Sequence, residues 1–396
     1  MGGGAAVLRD PIYLDNAATT RASEGVVRVV EACLLENYGN PSSLHGLGVR
    51  AENIVKDASR VLAEAMGVSS EEIIFTSGGT ESNNLAIFGS AMSRRREGSR
   101  VITTQVEHPS VYNAFVELGS MGFEPVFIPV DGNGVLDMDE LRRSLTADTI
   151  LVSVMCVNNE VGTVQPLAEV ARAIRESPGK PLFHVDAVQS LFKVPFNPME
   201  IGADLVSLSA HKIHGPKGCG ALWIRRGVRL RPLLFGGGQQ RALRSGTENV
   251  PGIAGFAQAC KEALEDHDLP GRLALMRKRF IDGVLAEIPD SRVNGPAGGS
   301  DPSAAAPHIV NVGFAGVKGE VLVHMLEAKG IYVSTGSACS SRKSAASKVL
   351  ESMKIPRAFL EGSIRVSFGR FTTMEEVDTA VAALKECVRE LRSLRR

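Results

Sequence analysis

The sequence predicts an α/β protein, with a mainly parallel sheet flanked by helices in a large domain and a smaller α+β domain after it. From about residue 70 onward, short apolar runs alternate with amphipathic stretches, as expected of a parallel sheet buried on both faces. After Pro251 this alternation gives way to long helical stretches, a linker rich in Gly, Pro and Ser, and a compact mixed region. The length of 396 residues also exceeds that of a usual single domain.

The predicted elements follow one another along the chain. The strand-like runs are Ile73–Thr76, Arg100–Thr104, Pro125–Pro129, Ile150–Val157, Leu182–Val185, Asp204–Leu208 and Gly220–Ile224. The helix-like segments are Glu81–Arg94, Ser110–Met121, Leu167–Ser177, Ala254–Asp266, Leu273–Ile288 and Met374–Leu394. We expect a large domain at 14–258, and a small domain that combines 1–13 with 259–396 and carries Cys339.

Composition limits the classes of partner. The chain has 44 basic and 44 acidic side chains and no net charge, so it lacks the electrostatic footprint of a nucleic-acid-binding or membrane-surface protein. Six scattered cysteines suit a reducing compartment, and no apolar run approaches the length that spans a bilayer. We therefore expect a cytoplasmic protein that acts on small molecules and other proteins, without direct contact with nucleic acid or membrane.

Chemically informative residues follow five of the predicted strands, where open α/β sheets bind their ligands. They are Ser77-Gly78-Gly79-Thr80, Glu107-His108-Pro109, Asn158-Asn159-Glu160, Asp186 with Gln189, and Ser209-Ala210-His211-Lys212. Each has an ordinary structural interpretation when taken alone: a tight turn, a polar loop histidine, or a helix cap. The glycine turn also suits an anion at a helix start, and a lysine just past a buried strand suits Schiff-base chemistry.

Together these strand ends predict a site for pyridoxal phosphate (PLP). That cofactor needs a lysine for its aldehyde, an acid to keep its pyridine nitrogen protonated, and an anion cradle for its phosphate. Lys212, Asp186 and the glycine turn supply this set. A zinc site at His211 and His214 is disfavoured because no Cys or carboxylate stands nearby at ligand spacing. The serines that follow strands lack the GxSxG pattern of a nucleophile elbow.

A second feature is Cys339, within the run Ser334-Thr335-Gly336-Ser337-Ala338-Cys339-Ser340-Ser341-Arg342-Lys343. A cysteine among small residues cannot pack as a core hydrophobe, so we expect it on an exposed loop. The neighbouring Arg342 and Lys343 would favour its thiolate. The other five cysteines lie in apolar or helical contexts, for which we expect burial.

Over nearly its whole length the chain resembles the cysteine desulfurases, in the class V aminotransferase group of fold-type-I PLP enzymes. The matching motifs are Tyr13–Thr20 (YLDNAATT), Tyr38–Ser43 (YGNPSS), Thr76–Asn84 (TSGGTESNN), Glu107-His108, Asn158–Glu160 (NNE), His184–Gln189 (HVDAVQ), Ser209–Lys212 (SAHK), Arg244–Asn249 (RSGTEN), Ser363–Arg365 (SIR) and Gly369–Thr373 (GRFTT). The run GSACSS around Cys339 is typical of desulfurases and not of class V aminotransferases.

The resemblance implies a role for each matching position. Lys212 forms the Schiff base and moves the Cα proton, and His108 stacks on the ring and assists. Cys339 attacks the sulfur of L-cysteine, which leaves alanine and a Cys339 persulfide. The remaining implied contacts are Asp186 to the pyridine nitrogen, Gln189 to the ring hydroxyl, Gly79, Thr80, Ser209, His211 and Thr247 to the phosphate, and Asn159 to the cofactor. Asn159 and Arg365 would also bind the substrate carboxylate.

The resemblance also implies partners. It predicts a homodimer in which Thr247 reaches the neighbouring subunit's phosphate site. It also predicts a sulfur-acceptor protein: an iron–sulfur scaffold, a tRNA-thiolation enzyme or another carrier, such as one for thio-cofactor biosynthesis. We expect no resident metal, with Cys339 a candidate for transient ligation of an iron–sulfur cluster. The alternative activity is a selenocysteine lyase, or another class V PLP lyase or aminotransferase.

Three positions depart from the family pattern. His214 stands where Tyr is often found, and Gln240 where Glu is frequent. We expect both to affect packing or the dimer contact. The third departure is the run Arg342-Lys343-Ser344-Ala345-Ala346-Ser347 after Cys339. It leaves the identity of the acceptor open, because this loop must deliver the sulfur.

Overall fold

The computed structural model describes residues 11–297, 302–336 and 347–394, which form two compact units. The larger unit comprises Thr20–Asn158 and Val164–Leu269. The smaller unit comprises the described residues within Met1–Thr19, Asn159–Thr163 and Pro270–Arg396. The predicted boundary between the two domains lies between residues 258 and 259, inside the helix Val250–Glu265 of the larger unit. The division into domains at this position stays a prediction.

A seven-stranded sheet forms the centre of the larger unit, counted over its described residues. Its strands are β2 (Ile73–Thr76), β3 (Arg100–Thr104), β4 (Glu124–Ile128), β5 (Thr149–Met155), β6 (Leu182–Asp186), β7 (Leu205–Ser209) and β8 (Gly220–Ile224). They lie in the order β2-β8-β7-β6-β5-β3-β4. All neighbouring pairs are parallel except those of β8, which runs antiparallel to both β2 and β7. The predicted α/β class with a mainly parallel sheet is confirmed.

The helices of the larger unit precede, connect or follow these strands. They are α1 (Glu24–Leu35), α2 (Gly46–Met66), α3 (Gly79–Ser93), α4 (Pro109–Ser120), α5 (Met138–Ser144), α6 (Leu167–Glu176), α7 (Pro198–Ile201) and α8 (Val250–Glu265). N-cap side chains explain where two of these helices begin. The carboxylate of Asp137 accepts hydrogen bonds from two backbone amides at the start of α5, and the side chain of Asn249 accepts one at the start of α8.

The core of the larger unit lies where α3 and α4 cover the sheet. Phe115 and Leu118 of α4 are fully buried there, together with Ile87 of α3 and Val101 of β3. The single tryptophan of the chain, Trp223 in β8, is also fully buried. Its indole Nε1 donates a hydrogen bond of 3.1 Å to Glu72 Oε2, so the polar atom of this large side chain is paired.

The smaller unit contains a three-stranded antiparallel sheet and a short parallel strand pair. The three-stranded sheet has the order β12-β10-β9, and β1 pairs with β11. The elements are β1 (Ile12–Tyr13), α9 (Leu269–Glu287, with its first residue in the larger unit), β9 (Ser291–Asn294), β10 (Ile309–Phe314), α10 (Gly319–Glu327), β11 (Ile331–Tyr332), α11 (Lys348–Ser352), α12 (Arg357–Leu360), β12 (Ser363–Ser367) and α13 (Met374–Ser393). A capping box of Thr373 and Glu376 begins α13. In the part of the chain that the structure describes, no helix is both long and apolar enough to cross a bilayer.

Candidate active site

Five strand ends of the larger unit lie on one edge of its sheet. Because β8 is antiparallel to both β2 and β7, strand β2 runs in the same direction as β3, β5, β6 and β7. The polar and glycine-containing segments that follow these strands therefore leave the sheet on the same side. This is the edge at which α/β sheets bind ligands.

The turn between β2 and α3 has the form of an anion cradle. Gly78 has φ 150° and ψ −177°, a conformation that side-chain-bearing residues rarely adopt. A Cβ on Gly79 would lie 2.7 Å from Val188 Cγ2 and 3.6 Å from the Cβ of Ser209, so only glycine leaves this space open. The hydroxyl of Ser209 is buried and has no hydrogen-bond partner among the described residues. These features, with the first amides of α3 beside Thr80, fit a bound phosphate.

Asp186 is the last residue of β6 and is 6% exposed. Its Oδ1 accepts a hydrogen bond from Val188 N at 3.0 Å, and its Oδ2 accepts one from Asn83 Nδ2 at 2.8 Å. The carboxylate is therefore fixed at the sheet edge by two donors. Gln189, three residues further on, is also buried.

His184 belongs to the same motif as Asp186 but has a structural role. Its Nδ1 lies 2.8 Å from Ser153 Oγ in β5, and its Nε2 lies 2.9 Å from Ser207 Oγ in β7. Burial lowers the pKa of His184 to about 3, so the ring is neutral at physiological pH. These bonds tie three adjacent strands together next to Asp186.

His108 caps the beginning of α4. Its Nδ1 accepts the backbone N–H of Ser110 at 3.1 Å and lies 2.8 Å from Ser110 Oγ. Burial lowers the pKa of His108; the negative charge of Asp186 opposes this change and the positive charge of Lys212 adds to it. His108, Asp186 and Lys212 are therefore close enough to influence one another.

Lys212 lies in a 3-10 turn, Ala210–Lys212, that directly follows β7. Thr20 fixes this turn from the N-terminal side of the chain: its N and its Oγ1 each donate to the carbonyl of His211 at 3.0 Å. The N–H of His214 in turn donates to Thr20 Oγ1 at 2.8 Å. These hydrogen bonds hold the half-buried lysine on a fixed turn. A side chain that must react with one particular atom needs such a fixed position.

Basic groups crowd this part of the larger unit. Burial lowers the pKa of His211 to about 4, and the nearby charges of Lys212, Lys217 and Lys193 lower it further. Burial likewise lowers the pKa of Lys193 to about 7, and the charge of Lys212 adds to the effect. A bound dianion would relieve this mutual repulsion, which is a second feature that fits a phosphate.

Thr247 is exposed on a loop that is fixed within the larger unit. Arg244 Nε donates to Glu81 Oε1 at 2.8 Å, which joins the loop to the first turn of α3. Gln240 Oε1 accepts a hydrogen bond from Phe75 N at 2.8 Å, and Gln240 Nε2 donates one to Glu248 Oε1 at 3.4 Å. A Glu at position 240 would place two carboxylates together there, whereas Gln donates to Glu248.

His214, the other departure within the described residues, is a packing residue in this chain. Its Nδ1 lies 2.8 Å from the carbonyl of Arg21, and its backbone has φ 66°, in the left-handed region. The ring is 7% exposed.

Arg365 and Asn159 both belong to the smaller unit. The guanidinium of Arg365 is 3% exposed; its Nη2 contacts Asp15 Oδ1 at 2.7 Å and its Nη1 donates to the carbonyl of Asn159 at 2.9 Å. A longer bond of 3.4 Å reaches the carbonyl of Gly336. Three of the five donors of Arg365 are used in this way, and its buried Nε has no partner among the described residues. An arginine held this firmly with donors left over fits the binding of a carboxylate.

Cys339 lies outside the described residues. The other five cysteines, Cys33, Cys156, Cys219, Cys260 and Cys387, are buried, as predicted. Burial raises the pKa of Cys156 and of Cys219 to about 12, so neither is a thiolate near neutral pH.

Several residues around the site were not assigned a role from the sequence. Thr20 and Asn83 stand inside the motifs YLDNAATT and TSGGTESNN, and Ser110 follows His108 by two positions, but their contacts depend on how distant segments meet. Glu107 is another: it is buried beside β5, where its Oε1 accepts from Met155 N at 3.0 Å. The sequence does contain one indication of a role for Glu107: its carboxylate stands next to a strand end and next to the candidate histidine, His108.

Comparison with known proteins agrees with this geometry. The family described as aminotransferase class-V matches residues 12–380. A protein named cysteine desulfurase IscS, of Methanosarcina thermophila, is 43% identical over 384 residues, which cover 97% of this chain and 93% of the relative. A solved structure of a NifS-like protein superposes with a TM-score of 0.89 at 37% identity, covering 96% of this chain and 100% of that one. A structure of SspA in complex with cysteine gives 0.79 at 30% identity, covering 91% and 99%.

The fold and the edge cluster therefore define a class V, fold-type-I enzyme of the PLP-dependent kind. A relative that is 43% identical over 97% of this chain identifies the family within that class. The chain belongs to the cysteine desulfurase family.

Proposed function

We propose that the enzyme converts L-cysteine into L-alanine and transfers the sulfur to Cys339 as a persulfide. The observation that carries the proposal is the cluster at one sheet edge: Asp186, His108 and Lys212 interact there, beside the cradle formed by Gly79 and Ser209. This is the set of groups that an amino-acid-activating cofactor requires.

The residues that would hold PLP can be assigned from their chemistry. The phosphate would bind at Gly79, Thr80, Ser209 and His211. The space beside the glycine, the first amides of the helix, a buried hydroxyl with no partner among the described residues, and basic groups come together there. Asp186 would hold the protonated pyridine nitrogen, Gln189 the ring hydroxyl, and Asn159 a further contact. When bound through Lys212, PLP supplies an electron-withdrawing ring that makes the Cα proton of an amino acid removable.

Lys212 and His108 would carry out the proton transfers of the reaction. Lys212, on its turn directly after β7, would take the Cα proton and return one later. His108 would assist from the end of α4, where its own backbone contacts fix its position.

Arg365 would bind the substrate carboxylate. Its contacts with Asp15 and with the carbonyls of Asn159 and Gly336 orient the guanidinium plane. Among the described residues they leave Nε–H and one hydrogen on Nη2 without a partner. A carboxylate can accept both in the bidentate geometry that arginine favours. Asn159 would contribute its side chain to the same task.

The sulfur step needs a nucleophile, and we assign it to Cys339, the one cysteine outside the buried set. Its thiolate would attack the sulfur of cysteine and form an S–S bond. The Cβ–S bond breaks, its electron pair stays on carbon, and a proton completes the methyl group of alanine. No external oxidant is needed, because one sulfur is oxidised to the persulfide level while the carbon is reduced.

A homodimer is part of the proposal. Large apolar side chains are at least 60% exposed near the end of α1 and on two loops: Leu34, Leu35, Tyr38, Leu44 and Phe235. Such exposure favours a partner surface, and Thr247 is exposed and therefore available to a neighbouring subunit. Sedimentation should give a dimer; an active monomer would exclude shared sites.

The sulfur acceptor completes the reaction. We propose a cytoplasmic protein acceptor, either an iron–sulfur scaffold, with the cluster as cargo that Cys339 would ligate only transiently, or a tRNA-thiolation enzyme. Capture of persulfide-accepting proteins by the sulfur-loaded enzyme would identify it.

Replacing Cys339 with Ser tests the function directly. A serine hydroxyl is scarcely ionised at neutral pH without a neighbouring base, so alanine formation from cysteine should fall to background and mass spectrometry should find no persulfide. The variant should still bind PLP. Desulfuration of cysteine at the parent rate would reject Cys339 as the nucleophile and favour a lyase that acts without it. Cys33→Ser, at a buried cysteine of α1, is the control.

A further inference from the structure

The direction of the hydrogen bonds around His108 is determined by its neighbours. The ring is the N-cap of α4, and its Nδ1 accepts the backbone N–H of Ser110 at 3.1 Å. The hydroxyl of Ser110 lies 2.8 Å from the same nitrogen. A ring nitrogen that accepts from a backbone amide cannot carry a proton itself.

Asn83 connects this hydroxyl to Asp186. Asn83 is 1% exposed; its Nδ2 donates to Asp186 Oδ2 at 2.8 Å and to Ser110 Oγ at 2.9 Å. An ionised carboxylate can only accept, so the atom facing Asp186 must be the amide nitrogen. Both hydrogens of that nitrogen are then used. Ser110 Oγ receives one of them, and its own single hydrogen is left to donate to Nδ1 of His108.

We propose that Asn83 and Ser110 are positioning residues that hold His108 with Nδ1 as acceptor and Nε2 as the proton-bearing nitrogen. Asp186 fixes the direction of the whole relay, Asp186 to Asn83 to Ser110 to His108. The inference rests on the proposed function only in giving the Nε2 proton a use in catalysis. The tautomer itself follows from the hydrogen bonds.

The relay has a chemical consequence for the ring. Protonation at Nδ1 would break two hydrogen bonds and remove the cap of α4, so the relay favours neutral His108 with its proton on Nε2. The charged groups that act on His108 are Asp186 at the end of β6 and Lys212 after β7. His108 would therefore give or hold a proton at Nε2, whereas Nδ1 is closed to exchange with a substrate.

The test measures the tautomer. In histidine-15N-labelled holoenzyme, the His108 resonances, assigned by their loss in His108→Gln, should show a protonated Nε2 and an unprotonated Nδ1. Ser110→Ala removes one neutral hydrogen bond, so the tautomer ratio should move toward Nδ1–H by roughly 2- to 10-fold and the pKa of His108 should rise. Ser110→Thr keeps the hydroxyl and should restore the parent spectrum. Asn83→Ala should shift the ratio in the same direction.

Ser177→Ala is the matched control, because Ser177 is a buried serine at the end of α6 whose hydroxyl donates to the carbonyl of Ile174, within its own helix, at 2.8 Å. It should leave the His108 resonances unchanged. A tautomer ratio in Ser110→Ala equal to that of the parent overturns the relay, whatever the activity. Conversely, if the ratio shifts as expected but the parent holoenzyme forms no alanine from cysteine, the relay stands and the proposed function fails.

Discussion

Replacing Glu107 with Gln should stabilise the protein near neutral pH and remove part of the pH dependence of its stability. Glu107 is 5% exposed; its Oε1 accepts from Thr104 Oγ1 at 2.8 Å and from Met155 N at 3.0 Å. Its Oε2 has no partner among the described residues. Burial raises the pKa of Glu107 to about 8, and the charge of Asp186 contributes. A glutamine can make the same two contacts through its oxygen.

The size of the effect follows from proton linkage. Below pH 4.5, the reference pKa of glutamate, Glu107 is protonated in both the folded and the unfolded chain, and it carries no penalty. Between pH 4.5 and about 8 only the unfolded chain loses the proton, so the free energy of unfolding falls by about 1.4 kcal/mol for each pH unit. The loss reaches about 3 kcal/mol at pH 7 and about 4 kcal/mol at pH 8, and it levels off at about 5 kcal/mol above pH 8. Glutamine has no such proton.

Urea unfolding of parent and Glu107→Gln holoenzymes, at matched PLP concentration, measures this difference from pH 4.5 to 8.5. The stability of the variant relative to the parent should grow with pH and become constant above about pH 8. Glu117→Gln, at an exposed position of α4, is the control and should show no such growth. A difference that is flat over this range, or that shrinks as pH rises, would refute the argument that Glu107 is buried in its protonated form.

Three substitutions test individual roles. Lys212→Ala should lose covalently held PLP and all turnover; borohydride reduction and peptide mapping of the parent should find the pyridoxyl group on Lys212, and an adduct on another lysine would reject the assignment. Asp186→Ala should retain some PLP through the phosphate cradle but lose alanine formation, so near-normal turnover would contradict its role at the pyridine nitrogen. Arg365→Lys should lower kcat/KM for cysteine by at least about 10-fold, because lysine lacks the planar fork; an unchanged value would exclude the carboxylate contact.

The strand ends were the part of the fold that the sequence predicted best. The apolar runs that end at Thr76 and Thr104 are strands with those same ends. The runs predicted to end at Val185 and Leu208 extend one residue further, so that Asp186 and Ser209 are the last residues of their strands. Fully buried strands read as continuous apolar runs, so their ends are marked by the first polar or glycine residue. The direction of a buried strand is not visible in this pattern: β8 is as apolar as its neighbours, although it runs antiparallel to them.

The parts that were missed depend on contacts between distant segments. Helices α1 and α2 are absent from the predicted elements, because they precede the region in which apolar runs and amphipathic stretches alternate. In the sequence, Asn83 has no feature that distinguishes it from other helix residues. Its role depends on α3, which places it between Asp186 and Ser110. The pairing of Asp15 with Arg365 joins residues 350 positions apart, which no local pattern can reveal.

The burial of Trp223 provides an optical probe of one unit alone. This residue is the only tryptophan in the chain and lies in β8, within the seven-stranded sheet of the larger unit. Its emission will therefore shift to longer wavelength when that sheet opens to water, and it will not respond directly to the smaller unit. Circular dichroism reports helix loss from both units. If the two signals change at different urea concentrations, the units unfold separately, and the fluorescence identifies which transition belongs to the sheet.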